Sequence, residues 1–145
     1  MDVRDVRRTT DDSLAGAVRL AIGVLFLMTG VMKLAVPTLA EAFSGQLAAA
    51  GIPMIWLVKW AVPLVEIGAG LALLVGAFTR VVALVVITIM AVAAYVHLVV
   101  DDAEMFPLQP NEPVVPLAVM LMAVYLVWKG GGSGSVDLRD VPRAG

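Results

Sequence analysis

Cysteine is absent from the 145 residues and histidine occurs once. The first absence excludes disulfides, thiol exchange and cysteine-held iron–sulfur clusters. The second excludes a multi-histidine metal centre within one chain, so no metal site is expected. Charge is scarce too: Asp, Glu, Lys and Arg make up 15% of the chain, against about a quarter in soluble proteins. Ten basic and twelve acidic side chains give a net charge of −2, which provides no basic face for nucleic acid. The sequence has no G-x-x-x-x-G-K-[ST], no H-E-x-x-H and no G-x-S-x-G, so nucleotide hydrolysis, zinc proteolysis and serine hydrolysis lack their residues. What is plentiful is apolar: 61% of the side chains are hydrophobic. The charges crowd into termini and short loops rather than coating helix faces, so the solvent expected for this chain is a bilayer.

Crossing about 30 Å of hydrocarbon takes about 20 apolar residues in a helix. Four stretches qualify or nearly do: residues 14–36, 55–78, 81–100 and 113–129. The first is interrupted only by Arg19 and Lys33, both able to snorkel toward an interface. The second contains Lys59, Pro63 and Glu66, and a kink is expected at Pro63, which cannot donate to the carbonyl of Lys59. The third carries His97 and no formal charge. In the fourth the apolar run Val114–Trp128 covers roughly 22 Å and needs its proline-rich approach or a thin bilayer. Runs this long without period-two alternation do not fit a lipid-facing barrel. The expected fold is therefore all-α, an integral membrane four-helix bundle, flanked by segments 1–13 and 130–145.

Orientation follows from Lys and Arg in the flanks, which are retained on the cytoplasmic side. With the N-terminus inside, that side holds Arg4, Arg7, Arg8, Arg19, Arg80, Lys129, Arg139 and Arg143, while the outer side keeps Lys33 and Lys59. Both termini are expected to be cytoplasmic, in a prokaryotic cell membrane. The acidic Asp101, Asp102, Glu104 and Glu112 fall in the outer loop between the third and fourth spans. Arg7-Arg8 reads as topology charge, because Asp11 and Asp12 follow where a twin-arginine signal needs apolar residues. The first span is longer than a signal-peptide core and is expected to remain in the mature protein.

Between the first two spans, Leu39, Phe43 and Leu47 recur every fourth residue among Glu41, Ser44 and Gln46, which predicts a short amphipathic helix along the outer interface. Trp56, Trp60 and Trp128 sit where interfacial anchors belong. Helices in lipid pack through small residues. Gly68, Ala72 and Gly76 form one such stripe, and Gly23 and Gly30 form another, with Ala83 and Ala94 in the third span. Gly130-Gly131-Gly132-Ser133-Gly134-Ser135 reads as a flexible linker.

An ionisable group at the bilayer centre costs about 2.5–3.5 kcal/mol on insertion scales. Glu66 lies ten residues from Gly76, about 15 Å at helical rise, which is the midplane. It must face the bundle interior, and either carry a proton or pair with a cation. His97 belongs to the outer third of its helix, and Asp101, one turn later on the same face, could hold its tautomer. Lys33 and Lys59 lie at similar depth. Together Lys33, Lys59, Glu66, His97 and Asp101 predict a polar pocket open to the outside, with Glu66 and His97 as candidate proton-handling residues. The plain alternative is that each lysine snorkels separately, His97 bonds a backbone carbonyl, and Glu66 merely pins two helices.

The chain resembles the DoxX family of small four-helix membrane proteins. The likeness is carried by Arg19-Leu20 with Gly23, by Gly30 and Lys33-Leu34, and by Gly51-Ile52-Pro53. It is strongest from Glu66-Ile67-Gly68-Ala69-Gly70 through Phe78-Thr79-Arg80, and His97 and the glycine-rich exit to Ser135-Val136-Asp137 also match. The resemblance implies a membrane subunit linked to redox complexes, since founding members accompany archaeal terminal quinol oxidase and thiosulfate:quinone oxidoreductase. Others accompany membrane assemblies of sulfur or oxidative-stress enzymes. Three functions follow as expectations. The first is a quinone-contacting subunit of a redox complex, with quinone as the implied cofactor, lipids and redox-enzyme subunits as partners, and Glu66 and His97 exchanging protons with the head group. The second is a membrane scaffold without chemistry. The third is a small-molecule carrier, which with four spans would need to form a homo-oligomer.

Overall fold

The computed structural model describes residues 7–106 and 112–139, and no strand occurs among them. In chain order the elements are α1 (Ser13–Ala35), α2 (Pro37–Ala49), α3 (Ile55–Val75), α4 (Thr79–Val99), a 3₁₀ turn at Ala103–Met105, α5 (Val114–Lys129) and α6 (Val136–Arg139). Arg4 and Arg143, counted above toward the inner side, lie outside the described residues. The helices α1, α3 and α4, of 23, 21 and 21 residues, are long and apolar enough to cross a membrane. The apolar α5 has 16 residues and reaches about 24 Å at helical rise.

Local chemistry sets most boundaries. The Asp12 side chain accepts the N–H groups of Leu14 and Ala15 at 2.9 and 3.1 Å, capping α1. These bonds, the Ala15 one foremost, hold its carboxyl below the ordinary aspartate value of 3.8. Pro37 opens α2 at the position where a missing N–H costs nothing. The helix α3 passes through the buried Pro63 and stops at Val75, because Gly76 takes the left-handed conformation at φ 72°. The second span is thus shorter than the sequence predicts, and α4 starts at Thr79 rather than Val81. The turn between them is fixed by a distant residue, Asp137, described below.

One core joins all four long helices. Ile22 and Phe26 of α1, Leu73 of α3, Val86 of α4, and Ala123 and Leu126 of α5 are each at most 1% exposed and form one cluster. Within the bundle α1 packs chiefly on α3, and α4 on α5. The Gly23–Gly30 face of α1 behaves as its spacing predicts: a Cβ on Gly30 would stand 2.8 Å from the Pro63 carbonyl oxygen. The stripe on α3 does not. Gly68 is exposed with nothing near it, and the close approach falls on Gly70, where a Cβ would stand 2.6 Å from the Leu27 nitrogen. Glu66 decides this, because Gly70 lies one turn from it on the same side whereas Gly68 lies two residues away, on the opposite side. A carboxylate in hydrocarbon is costlier than a glycine in lipid. Gly70→Val is therefore expected to lower stability by about 3 kcal/mol, at the upper end of overpacking effects, while Gly68→Val changes little. Unfolding titrations in mixed detergent measure both.

The bundle has two distinct ends. At the termini face, Ser133 N–H donates to the Asp12 carbonyl at 3.0 Å and the Lys129 ammonium lies 3.5 Å from the Asp12 carboxylate. At the other, the α2 face, α2 covers the ends of the helices. There the Gln46 amide donates to the Met105 carbonyl, and the Tyr95 hydroxyl donates to that of Ala50 at 3.5 Å.

Candidate functional site

The α2 face contains the pair that the depth argument singles out. Glu66, one turn from Gly70 on the α1-facing side of α3, is 2% exposed. The Lys33 ammonium, in the last turn of α1, donates to Glu66 Oε1 at 2.6 Å. Lys33 therefore does not snorkel alone. Its side chain is 24% exposed, so the pair links a buried carboxylate to a partly open cation. The second oxygen, Oε2, is buried and has no hydrogen-bond partner among the described residues. A carboxylate oxygen left that way is a cost a native fold ordinarily avoids.

Beside the pair lies an open groove of about 360 Å³ whose lining includes Lys33, Glu41, Phe43, Ser44, Lys59 and Trp60. It is walled by the end of α1, by α2 and by the start of α3. The volume is at the low end of the range of small-molecule sites. Its cations also meet aromatic faces: Lys33 Nζ is 4.6 Å from the Phe43 ring centroid, and Lys59 Nζ is 5.7 Å from that of Trp60. Of the five residues predicted to share a pocket, Lys33 and Lys59 line the groove, and Glu66 is joined to it through its bond to Lys33.

His97 and Asp101 are placed differently. His97 is 8% exposed and stacks on Phe106, ring centroids 4.2 Å apart. Phe106 belongs to a small apolar cluster with Ala50, Val96 and Val100. The helix α4 ends at Val99, so the exposed Asp101 lies beyond it and does not continue the helical face that carries His97. That part of the prediction assumed one more turn of helix than the chain forms.

A second polar centre closes the termini face, and here sequence reasoning misses the main actors. Arg19 does not snorkel; it is 2% exposed. Its guanidinium donates to the carbonyls of Gly131 at 2.8 Å, Leu74 at 2.9 Å, Ser133 at 3.4 Å, and also Leu73. Leu73 and Leu74 are in the last turn of α3, where helices leave carbonyls unpaired. Asp137, 1% exposed, accepts the N–H groups of Phe78 and Thr79, each at 2.9 Å, and an Arg7 Nε contact at 3.0 Å. Phe78 has φ 50°, unusual for a side chain of that size, and the Asp137 clamp holds it there. The Gly130–Ser135 run is not a flexible linker. Gly130, Gly131, Gly132 and Ser135 are buried, and Gly132 takes φ 68° where a Cβ would collide with the Gly16 nitrogen. The glycines are there for close approach and left-handed turns. Their one sequence signal is the resemblance that extends to Asp137.

The two centres differ in chemistry. In the termini-face cluster Arg19 and Asp137 are bonded to the chain's own backbone and to Arg7, and the buried Thr79 hydroxyl has no partner among the described residues. In the α2-face pair Glu66 Oε2 has no partner among them either, but its bonded cation, Lys33, lines an open groove. The fold and the site together define a small helical membrane protein with an open polar groove at the α2 face. The chain belongs to the DoxX family: the family model described as DoxX matches residues 14–98, which reach from the first turn of α1 to the last turn of α4. Comparison with curated proteins and with solved structures finds no match.

Proposed function

We propose that the protein is a quinone-contacting membrane subunit of a redox complex, with its head-group site in the Lys33–Glu66 groove. The observation that carries this reading is Glu66, held on one oxygen by Lys33 and unpartnered on the other among the described residues, with Lys33 itself lining an open groove. The groove suits the group chemically. Ring carbonyls need N–H donors, which Lys33 and Lys59 offer, and a flat ring needs apolar faces, which Phe43 and Trp60 offer. Lipid-exposed Leu64, one turn beyond Trp60, continues the surface toward the hydrocarbon where an isoprenoid tail belongs. Bound quinone supplies the two-electron chemistry. Lys33 orients a carbonyl, and Glu66 holds or releases a proton at Oε2. A chain with no cysteine and one histidine leaves the other electron carrier to a partner enzyme. The basic flanks support an orientation with the termini in the cytoplasm and the α2 face outside.

Glu66→Gln keeps the shape and removes the charge. It is expected to weaken binding of a short-chain benzoquinone about tenfold, the size of one charge-assisted hydrogen bond. Tryptophan fluorescence quenching on the purified protein reads the change. Unchanged affinity would overturn the quinone reading and favour a scaffold that recruits partner enzymes without chemistry.

A further inference from the structure

We infer that Glu66 exchanges its proton with the α2 face of the membrane alone, and that Lys33 is the relay that carries it there. Three observations converge. Toward the α2 face, the only group among the described residues bonded to the Glu66 carboxylate is the Lys33 ammonium, at 2.6 Å, and Lys33 in turn lines the groove. Toward the termini face, the next layer is Ile22, Phe26, Leu73 and Leu126, each at most 1% exposed, a thickness of apolar side chains without a proton-carrying group. Beyond that layer Arg19 is spent on four carbonyls, and the buried glycines of 130–132 pack closely against Thr9, Gly16, Thr79 and Ser135.

The charges that face the relay are Lys33 on α1, Glu41 on α2, and Lys59 and Glu66 on α3. The transfer balances simply. A proton on the Glu66 carboxyl passes to Lys33 as the ammonium releases one of its own to groove water, which becomes hydronium. The ion pair is restored with no change except one proton delivered to the α2 face. If the groove takes a quinol, as proposed above, its protons are released on that face while the termini face stays closed. The sidedness itself does not depend on what the groove binds.

The native protein supplies its own reporter. A carbodiimide activates a carboxyl, and at 2.6 Å the Lys33 amine is placed to attack the activated Glu66 and form an amide with loss of one water. A permanently charged, membrane-impermeant carbodiimide is applied to sealed vesicles of known orientation, from either side, and the digest is read by mass spectrometry. The expected result is a Lys33–Glu66 cross-link when the reagent meets the α2 face and none when it meets the termini face. A cross-link from the termini face, or equal yields from both, would overturn the inference. Because the chain has no cysteine, Ser44→Cys and Ala15→Cys serve as single-thiol markers of the groove and of the buried inner end. An impermeant thiol reagent should modify the first from the α2 face, and leave the second unmodified from the termini face. Modification of Cys at 15 from that face would count against the seal. Quinone affinity, measured separately, can fail while the sidedness holds, and the reverse.

Discussion

Arg19→Met is expected to cost about 4 kcal/mol of stability and to free the chain beyond α5 from the bundle. The methionine fills similar volume but donates nothing, so the carbonyls of Leu73, Leu74, Gly131 and Ser133 lose a shared donor. A buried acceptor without a partner costs about 1–3 kcal/mol, and at least the Leu73 and Gly131 carbonyls are in buried surroundings. The last turn of α3 also loses the cation that complements its dipole. Arg19→Lys separates the two contributions: it keeps the charge but presents a single ammonium that cannot reach four carbonyls at once. It should recover no more than about half of the loss. Mixed-detergent unfolding gives the energies, and limited proteolysis near Ser133 gives the release of the segment. An Arg19→Met protein that unfolds with the wild type and stays protected at Ser133 would show that the guanidinium holds nothing together.

The contrast between the two ends explains what could be read in advance. Glu66 and Lys33 were legible because intramembrane charge is costly wherever it occurs, and depth along a helix follows from counting residues. The helical bundle was legible for the same reason, since long apolar runs leave few alternatives. Arg19 was not, although it is equally costly to bury. Its position near a helix start permits snorkelling, and its acceptor on Gly131 is 112 residues away, a relation that no local pattern encodes. The Gly130–Ser135 run misleads in a related way: composition reports what a backbone can do, and these glycines are used for left-handed turns against α1. Asp137 has the same origin. A carboxylate eight residues past the end of α5 and beyond a glycine run reads as solvated until the turn at Phe78–Thr79 is seen bonded to it. His97 and Asp101 err by a single helical turn, because Val100 takes an extended conformation where the helical pattern could have continued. Gly68 and Gly70 show how competing demands resolve: both offer close approach, and the costlier neighbour, Glu66, selects the face.

Removing the cation from the groove pair should hurt the fold more than removing the anion. Lys33→Met leaves the Glu66 carboxylate buried with neither oxygen bonded, and breaking a buried pair this way costs about 3–5 kcal/mol. The lysine is 24% exposed, so water reaches part of the site and the expected loss is about 3 kcal/mol. The ammonium also leaves the Phe43 ring, a contact worth about 0.5–1 kcal/mol at an exposed site. Glu66→Gln is milder, about 1 kcal/mol, because the freed ammonium can turn into the groove while the amide keeps an oxygen toward it. The double variant Lys33→Met, Glu66→Gln should lie close to Glu66→Gln alone, which gives a coupling of about 3 kcal/mol between two residues 33 apart in sequence. Unfolding midpoints of the four proteins measure that cycle. Additive losses would mean that the two side chains act independently and that the 2.6 Å contact contributes nothing to the fold. The asymmetry also bears on function. A pair whose anion can be neutralised at little cost, but whose cation cannot be removed, is suited to handling a proton on the carboxylate while the ammonium stays in place.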